Sequence, residues 1–146
     1  MIISGEAKKI LLVEDRPKDM ALTLRALERA NVANEIVVAR DGAEAIDYLI
    51  RPDDSDFELP ALVLLDLNLP KISGHDVMSR IRTTESTRYV PVVILTSSDD
   101  EKDIVLSYAN GANSYVRKPV DFNEFMRAVQ DVGLYWLITN TAAPND

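Results

Sequence analysis

The chain has 146 residues, 47% of them hydrophobic, a size and composition that let one domain bury a full core, and its lack of cysteine excludes a disulfide framework or thiolate metal site. Its formal charge is −8 with the 16 basic residues scattered, which disfavours nucleic-acid binding because most of the surface would repel a phosphate backbone. Met1 to Glu6 lacks the basic and apolar regions of a signal peptide, and no run approaches the about 20 apolar residues that span a bilayer, so a soluble cytoplasmic protein is expected, with no membrane partner.

Short β-rich apolar runs alternate with stretches of helical spacing, the pattern of repeated strand-helix units around a parallel sheet. Ile10 to Val13 is the first strand and ends in Glu14-Asp15; Pro17 then suits the first turn of a helix that turns Met20, Leu24 and Leu27 inward. Ile36 to Val38 is the second strand, followed by a helix with Ile46, Leu49 and Ile50 on one face. Asp53, Asp54 and Asp56 sit in the loop from Arg51 to Pro60, which lacks the glycine and closing glutamate of a calcium loop and reads as solvated. The third strand, Ala61 to Leu65, ends abruptly in Asp66, then Asn68, Pro70 and Gly74. Val77, Met78 and Ile81 mark the third helix, and His75 at its start, the only histidine, reads as an exposed helix residue. Val92 to Leu95 ends in Thr96-Ser97, and a helix with Ile104, Val105 and Tyr108 on one face runs to a left-handed stop at Gly111. Tyr115-Val116 leads into Arg117-Lys118-Pro119, and the fifth helix starts near Asp121 with Phe122, Phe125, Met126, Val129, Val132 and Trp136 as a packing stripe. One domain is expected over residues 8–138, between an extension at 1–7 and a polar tail at 139–146, with no output domain.

Right-handed crossovers leave few orders for five such units, and 2-1-3-4-5 is the common one: a flavodoxin-like α/β three-layer sandwich. Strands 1 and 3 are then neighbours where the winding reverses, and Glu14, Asp15 and Asp66 face one another there, flanked by Thr96 and Lys118. Carboxylates about 4 Å apart repel by roughly 4 kcal/mol at an effective dielectric of 20, so a proton or a cation must enter. One lysine does not neutralise three acids, and oxygen ligands without histidine or cysteine favour Mg²⁺ over Ca²⁺ or Zn²⁺. An ionised aspartate beside such an ion, with a hydroxyl and an ammonium nearby, suits phosphoryl transfer with Asp66 as acceptor. Singly, any of these acids reads more readily as a loop or helix cap; four strand ends agreeing does not.

Glu14-Asp15, the acceptor in Leu65-Asp66-Leu67-Asn68-Leu69-Pro70, Gly74, Thr96-Ser97, and Tyr115 three positions before Lys118-Pro119 together resemble the receiver domain of bacterial two-component response regulators, over about residues 8 to 137. Leu64-Leu65-Asp66-Leu67-Asn68-Leu69-Pro70, the long loop before it and the Trp136 ending are most similar to the single-domain regulators paired with bacterial and cyanobacterial phytochromes. The resemblance implies that Asp66 is the phosphorylated residue and that Glu14, Asp15, Asp66 and the Asn68 backbone carbonyl hold Mg²⁺. It implies that Thr96 bonds the phosphoryl group, that Lys118 pairs with it, and that the Lys118-Pro119 peptide is cis, aiming the lysine inward. Tyr115 matches the aromatic switch; on periodicity alone it is equally a half-buried edge-strand tyrosine. Arg16 departs from the small polar residue common at that place in phytochrome-type members, and leaves metal affinity and dephosphorylation rate open, as do Asn68 and Ser98.

The expectation is a phosphoacceptor signalling protein, catalysing only its own phosphotransfer and dephosphorylation, whose partner is a sensor histidine kinase, a phytochrome by the resemblance. A homodimer through helix 4, strand 5, helix 5 and Gly133 to Ile138 is a second expected contact, the alternative being that this segment only covers the sheet. A Mg²⁺-dependent phosphatase of the haloacid-dehalogenase type is the rival; it requires an acid two residues after the nucleophile, where this chain has Asn68. A flavodoxin-like nucleotide binder lacks support because no glycine-rich loop follows strand 1.

Overall fold

The computed structural model describes residues 8–30, 32–51 and 56–144; Asp53 and Asp54 lie outside the described residues. Strands β1 (Ile10–Val13), β2 (Ile36–Ala39), β3 (Leu62–Leu65), β4 (Val92–Thr96) and β5 (Ser114–Arg117) form a parallel sheet in the order β2-β1-β3-β4-β5. Helices α1 (Pro17–Arg29), α2 (Gly42–Leu49), α3 (Gly74–Thr83), α4 (Glu101–Ala109) and α5 (Phe122–Leu134) complete the expected flavodoxin-like architecture.

Because neighbouring residues of a strand point to opposite faces, the sheet supports two separate cores. Leu11, Val13, Val63, Leu65, Val92 and Ile94 pack with Ala45, Leu49, Val77, Met78 and Ile81 of α2 and α3. Ile10, Leu12, Leu62, Leu64, Val93 and Leu95 pack on the other face with Met20 and Leu27 of α1 and Phe125, Met126 and Val129 of α5. Both faces are covered, which is why these strands read as unbroken apolar runs.

The helices begin where their sequences prescribe. Pro17 opens α1, and Asp41, Ser73, Asp100 and Asp121 each accept a backbone N–H of the helix they precede. Gly111, two residues past α4, has φ 93° and ends it in the left-handed region.

Two stripes differ from expectation. On α4, Val105 and Tyr108 are exposed, as is Leu106, and the side chain that faces inward is Ser107. This helix leans on α3 and β5 at the sheet edge, so little of its surface is covered. On α5, Phe122 is exposed, Val132 is half-buried, and past Leu134 the chain widens into a π-helical turn, Tyr135–Thr139, on which Trp136 is half-buried and Leu134, Tyr135 and Ile138 face out.

At the end of the sheet where β4 and β5 begin, the Arg82 guanidinium of α3 donates to the carbonyls of Gly111 (2.9 Å), Arg88 (3.1 Å) and Val90 (2.7 Å) and to Asn113 Oδ1 (2.8 Å). Asn113 Oδ1 also accepts the Val92 N–H at 2.8 Å, so one planar cation binds the entries of two strands.

Candidate functional site

Register decides which side chains meet. Val13 pairs with Leu65, so Glu14 and Asp66 leave adjacent strands at the same level, while Leu65 pairs with Ile94 and Thr96 with Arg117. Thr96 and Lys118 therefore reach the same edge as the acids from β4 and from just beyond β5.

The group at the centre is Lys118, whose side chain is only 8% exposed. Its Nζ donates to Glu14 Oε1, to Asp66 Oδ2 at 3.0 Å and to Asp19 Oδ2 at 3.0 Å. Asp66 Oδ1 in turn accepts the Thr96 hydroxyl at 2.8 Å and the Asn68 N–H at 3.1 Å, and Glu14 Oε2 accepts the Arg16 N–H at 3.2 Å. Arg16 thus enters the site through its backbone, and its side chain has no recorded part in it.

Burial of these groups is nearly complete: Glu14 is 2%, Asp66 3% and Thr96 0% exposed, whereas Arg16, Asn68 and Ser97, the next residues outward, are exposed. Burial pushes the Glu14 carboxyl up to about 7, with the Asp66 charge adding to it against the pull of Lys118. Burial also acts to raise Asp66, but Lys118, the Asn68 N–H and the Thr96 hydroxyl outweigh it and hold that carboxyl below its ordinary value. For Lys118 burial is again opposed, here by Glu14 and Asp66, and the amine stays protonated above its ordinary range.

Asp66 is also fixed from below. A Cβ added at Gly74 would lie 2.4 Å from the Asp66 carbonyl oxygen and 2.5 Å from Leu67 Cα, so only glycine lets α3 start this close to the acceptor turn. The Gly74 N–H donates to the Leu67 carbonyl at 3.0 Å, closing that turn.

Glu14, Asp66, Thr96 and Lys118 converge as expected, but by a different route in one respect. The Lys118-Pro119 peptide is trans, correcting the expected cis bond: the structure has no cis peptide among the described residues. An X-Pro bond prefers trans by about 0.5–1 kcal/mol, and Lys118 reaches all three acids in that form, so nothing in the packing enforces the rarer isomer.

Glu14, Asp15 and Asp66 do not form a three-acid metal cluster among the described residues; the ammonium instead bonds Glu14 and Asp66 together with Asp19. The donor set nonetheless fits a hard divalent ion. Every side-chain donor is a carboxylate oxygen, and Asp15 Oδ1 is buried without a hydrogen-bond partner in the protein, an arrangement that is costly unless a cation or water satisfies it.

Three contributors escaped the sequence reading. Asp19, on the first turn of α1, shares the lysine; acids are so common in first turns that its position carries no signal of this. His75, expected to be exposed, has a side chain 18% exposed and its Nε2 lies 3.0 Å from Asp103 Oδ1. Asp103 Oδ2 accepts the Ser98 hydroxyl at 2.6 Å, and the Tyr115 hydroxyl donates to the Ser98 carbonyl at 2.8 Å. Tyr115 is half-buried against the α2 and α3 core, and burial raises its hydroxyl. No motif spacing announces a pair separated by 28 residues on two helices.

The response regulator receiver domain family matches residues 10–130. Response regulator Rcp1 of Synechocystis sp. is 35% identical over 139 residues, covering 94% of this chain and 95% of that protein; the structure of its Mn²⁺-bound form matches with a TM-score of 0.85. The phosphorylated cyanobacterial phytochrome response regulator RcpA matches at 0.86 with 38% identity, covering 94% of this chain and 99% of that one. The bacteriophytochrome response regulator AtBRR is 48% identical with a TM-score of 0.73, covering 97% of this chain and all (100%) of that one. A buried aspartate bonded by lysine, threonine and a backbone N–H on this sheet edge, a family match over most of the chain and relatives of its own length lead to one assignment: the chain belongs to the response regulator receiver domain family, among the relatives of the phytochrome response regulators.

Proposed function

We propose that this protein is a phosphorylation-controlled interaction module in which Asp66 accepts a phosphoryl group from the phosphohistidine of a sensor histidine kinase, a phytochrome-type kinase by its similarity to the phytochrome response regulators. The observation that carries the reading is the Asp66 carboxylate held as an anion between the Lys118 ammonium, the Thr96 hydroxyl and the Asn68 N–H. As an anion it needs no general base: its oxygen bonds to phosphorus, the bond from phosphorus to the donor imidazole breaks, and the imidazole takes up a proton from solvent. Lys118 and Thr96 stand where the transferred oxygens would arrive, and offer a cation and a donor to their charge.

Asp15, Asp66 and the Asn68 carbonyl, with Glu14 behind them, would hold Mg²⁺, which when bound would offset phosphoryl charge that a single lysine cannot. Glu14 and Asp19 hold the lysine from the far side. The phosphorylated form would then act in the cytoplasm through a protein partner or a second copy, using the face of α4, β5 and α5, where Val105, Leu106, Tyr108 and Phe122 are exposed, and the exposed Leu134, Tyr135 and Ile138 beyond it.

Acetyl phosphate with Mg²⁺ is expected to label the protein once, with an acid-stable and alkali-labile bond, and Asp66→Asn to lose the label. Retention of label in Asp66→Asn would refute the acceptor assignment, and sustained turnover of a phosphate monoester would favour the phosphatase. Profiling against each autophosphorylated histidine kinase of the source organism identifies the donor; equal slow labelling by all of them would refute a dedicated pathway.

A further inference from the structure

The β4 to α4 loop carries Thr96 at its start and is tied down at Ser98 from two sides. Ser98 receives Tyr115 on its carbonyl and gives its hydroxyl to Asp103, which lies on the first turn of α4. The Ser98 hydroxyl also accepts the Asp100 N–H at 3.2 Å, so the loop is closed onto the helix start. The second oxygen of Asp103 reaches His75. His75 follows Gly74, whose lack of a side chain lets α3 press against the Asp66 carbonyl. Three hydrogen bonds, His75 to Asp103, Ser98 to Asp103 and Thr96 to Asp66, are thus linked by the backbone between Thr96 and Ser98 and by Gly74 on the acceptor turn into one closed path.

We propose that His75 is a positioning residue: through Asp103 it fixes the Ser98 loop, and so sets both the Thr96 hydroxyl against Asp66 and the Ser98 carbonyl that receives the Tyr115 hydroxyl. This rests on Asp66 as the phosphoacceptor. Because a carboxylate only accepts, Nε2 carries the proton in this pair, and the bond is charge-assisted on the acceptor side. The two side chains are 18% and 34% exposed, so the contact is partly shielded from water, unlike a surface pair of long flexible chains. No other side-chain hydrogen bond among the described residues joins α3 to α4, so without His75 the Ser98 loop keeps, as side-chain ties to β5, the Tyr115 bond and the exposed Arg117–Asp99 ion pair.

The test uses the full chain with His75→Leu, His75→Gln and Ser98→Ala, and reads two quantities: the ring resonance of Tyr115 in fluorotyrosine-labelled, unphosphorylated protein, assigned with Tyr115→Phe, and the rate of labelling by acetyl phosphate. His75→Leu is expected to move the Tyr115 signal and slow labelling about five-fold, and His75→Gln, which keeps a donor, to restore both. The double variant with Ser98→Ala should label no more slowly than the slower single variant, because both break one chain. An unmoved Tyr115 signal in His75→Leu, or rate losses that multiply in the double variant, would overturn the proposal. Should His75→Leu not fold, Asp103→Asn, which leaves one oxygen for two donors, must move the Tyr115 signal instead. If the wild type takes no label, the acceptor reading fails, and the resonance alone still decides the role of His75.

Discussion

Replacing Glu14 with glutamine should stabilise the metal-free protein in a pH-dependent way. Asp19 and Asp66 each place an oxygen 3.0 Å from Lys118 Nζ, and Glu14 bonds the same nitrogen, so any two of the three oxygens lie within about 6 Å. Like charges at about 6 Å repel by about 3 kcal/mol at an effective dielectric of 20. The Glu14 carboxyl itself rises from 4.5 to about 7, chiefly through burial with the Asp66 charge adding to it, a difference of about 3 kcal/mol. An acid whose value is raised on folding contributes stability that is fully present below its unfolded value and is lost as pH climbs through its folded one. The wild type should therefore lose this contribution between pH 4.5 and about 7, and Glu14→Gln, neutral throughout, should not. Urea unfolding of both proteins in EDTA from pH 5 to 8.5 isolates the effect, since other titrating groups cancel in the difference. The stability gap should move by about 3 kcal/mol in favour of the variant and level off above pH 7. A gap that stays flat, or shrinks as pH rises, would refute the charge excess at this site.

Mg²⁺ at pH 8 should raise the unfolding free energy of the wild type, by about 1.4 kcal/mol at ten times its Kd, and Asp15→Asn should abolish most of that gain in the same titration. Gly74→Ala forces a methyl group onto the Asp66 carbonyl and the Leu67 backbone, which cannot step aside. It should cost about 3 kcal/mol in urea unfolding and slow labelling by acetyl phosphate, with a neutral result excluding the close packing of α3 on the acceptor turn.

Much of this arrangement was legible because it is written in local signals. Each apolar strand stops at a polar residue with no transition, and Pro17, Asp41, Ser73, Asp100 and Asp121 mark helix starts by their own chemistry. Parallel pairing then made the convergence of Glu14, Asp66, Thr96 and Lys118 a consequence of topology. What escaped depends on long-range geometry. The isomer before Pro119 is decided by small energies in the surrounding loop, and the bond of His75 by how closely two helices approach. The α4 spacing misled because Ile104, Val105 and Tyr108 mimic a buried face at a sheet edge where only Ser107 is enclosed.

The Arg82 guanidinium makes the far end of the sheet a fulcrum. Its acceptors precede β4 and β5, whereas Thr96, Ser98 and Lys118 lie at or beyond the exits of those strands. Burial lowers the pKa of this cation, and its hydrogen-bond acceptors are all neutral carbonyl or amide oxygens, so its grip depends on no ion pair with the Asp66 site. Lysine could not substitute, since one nitrogen cannot span acceptors spread over a planar fork. Were charge at Asp66 to move the strand exits, this pinned base would leave the displacement to the loop and the α4 surface beside it.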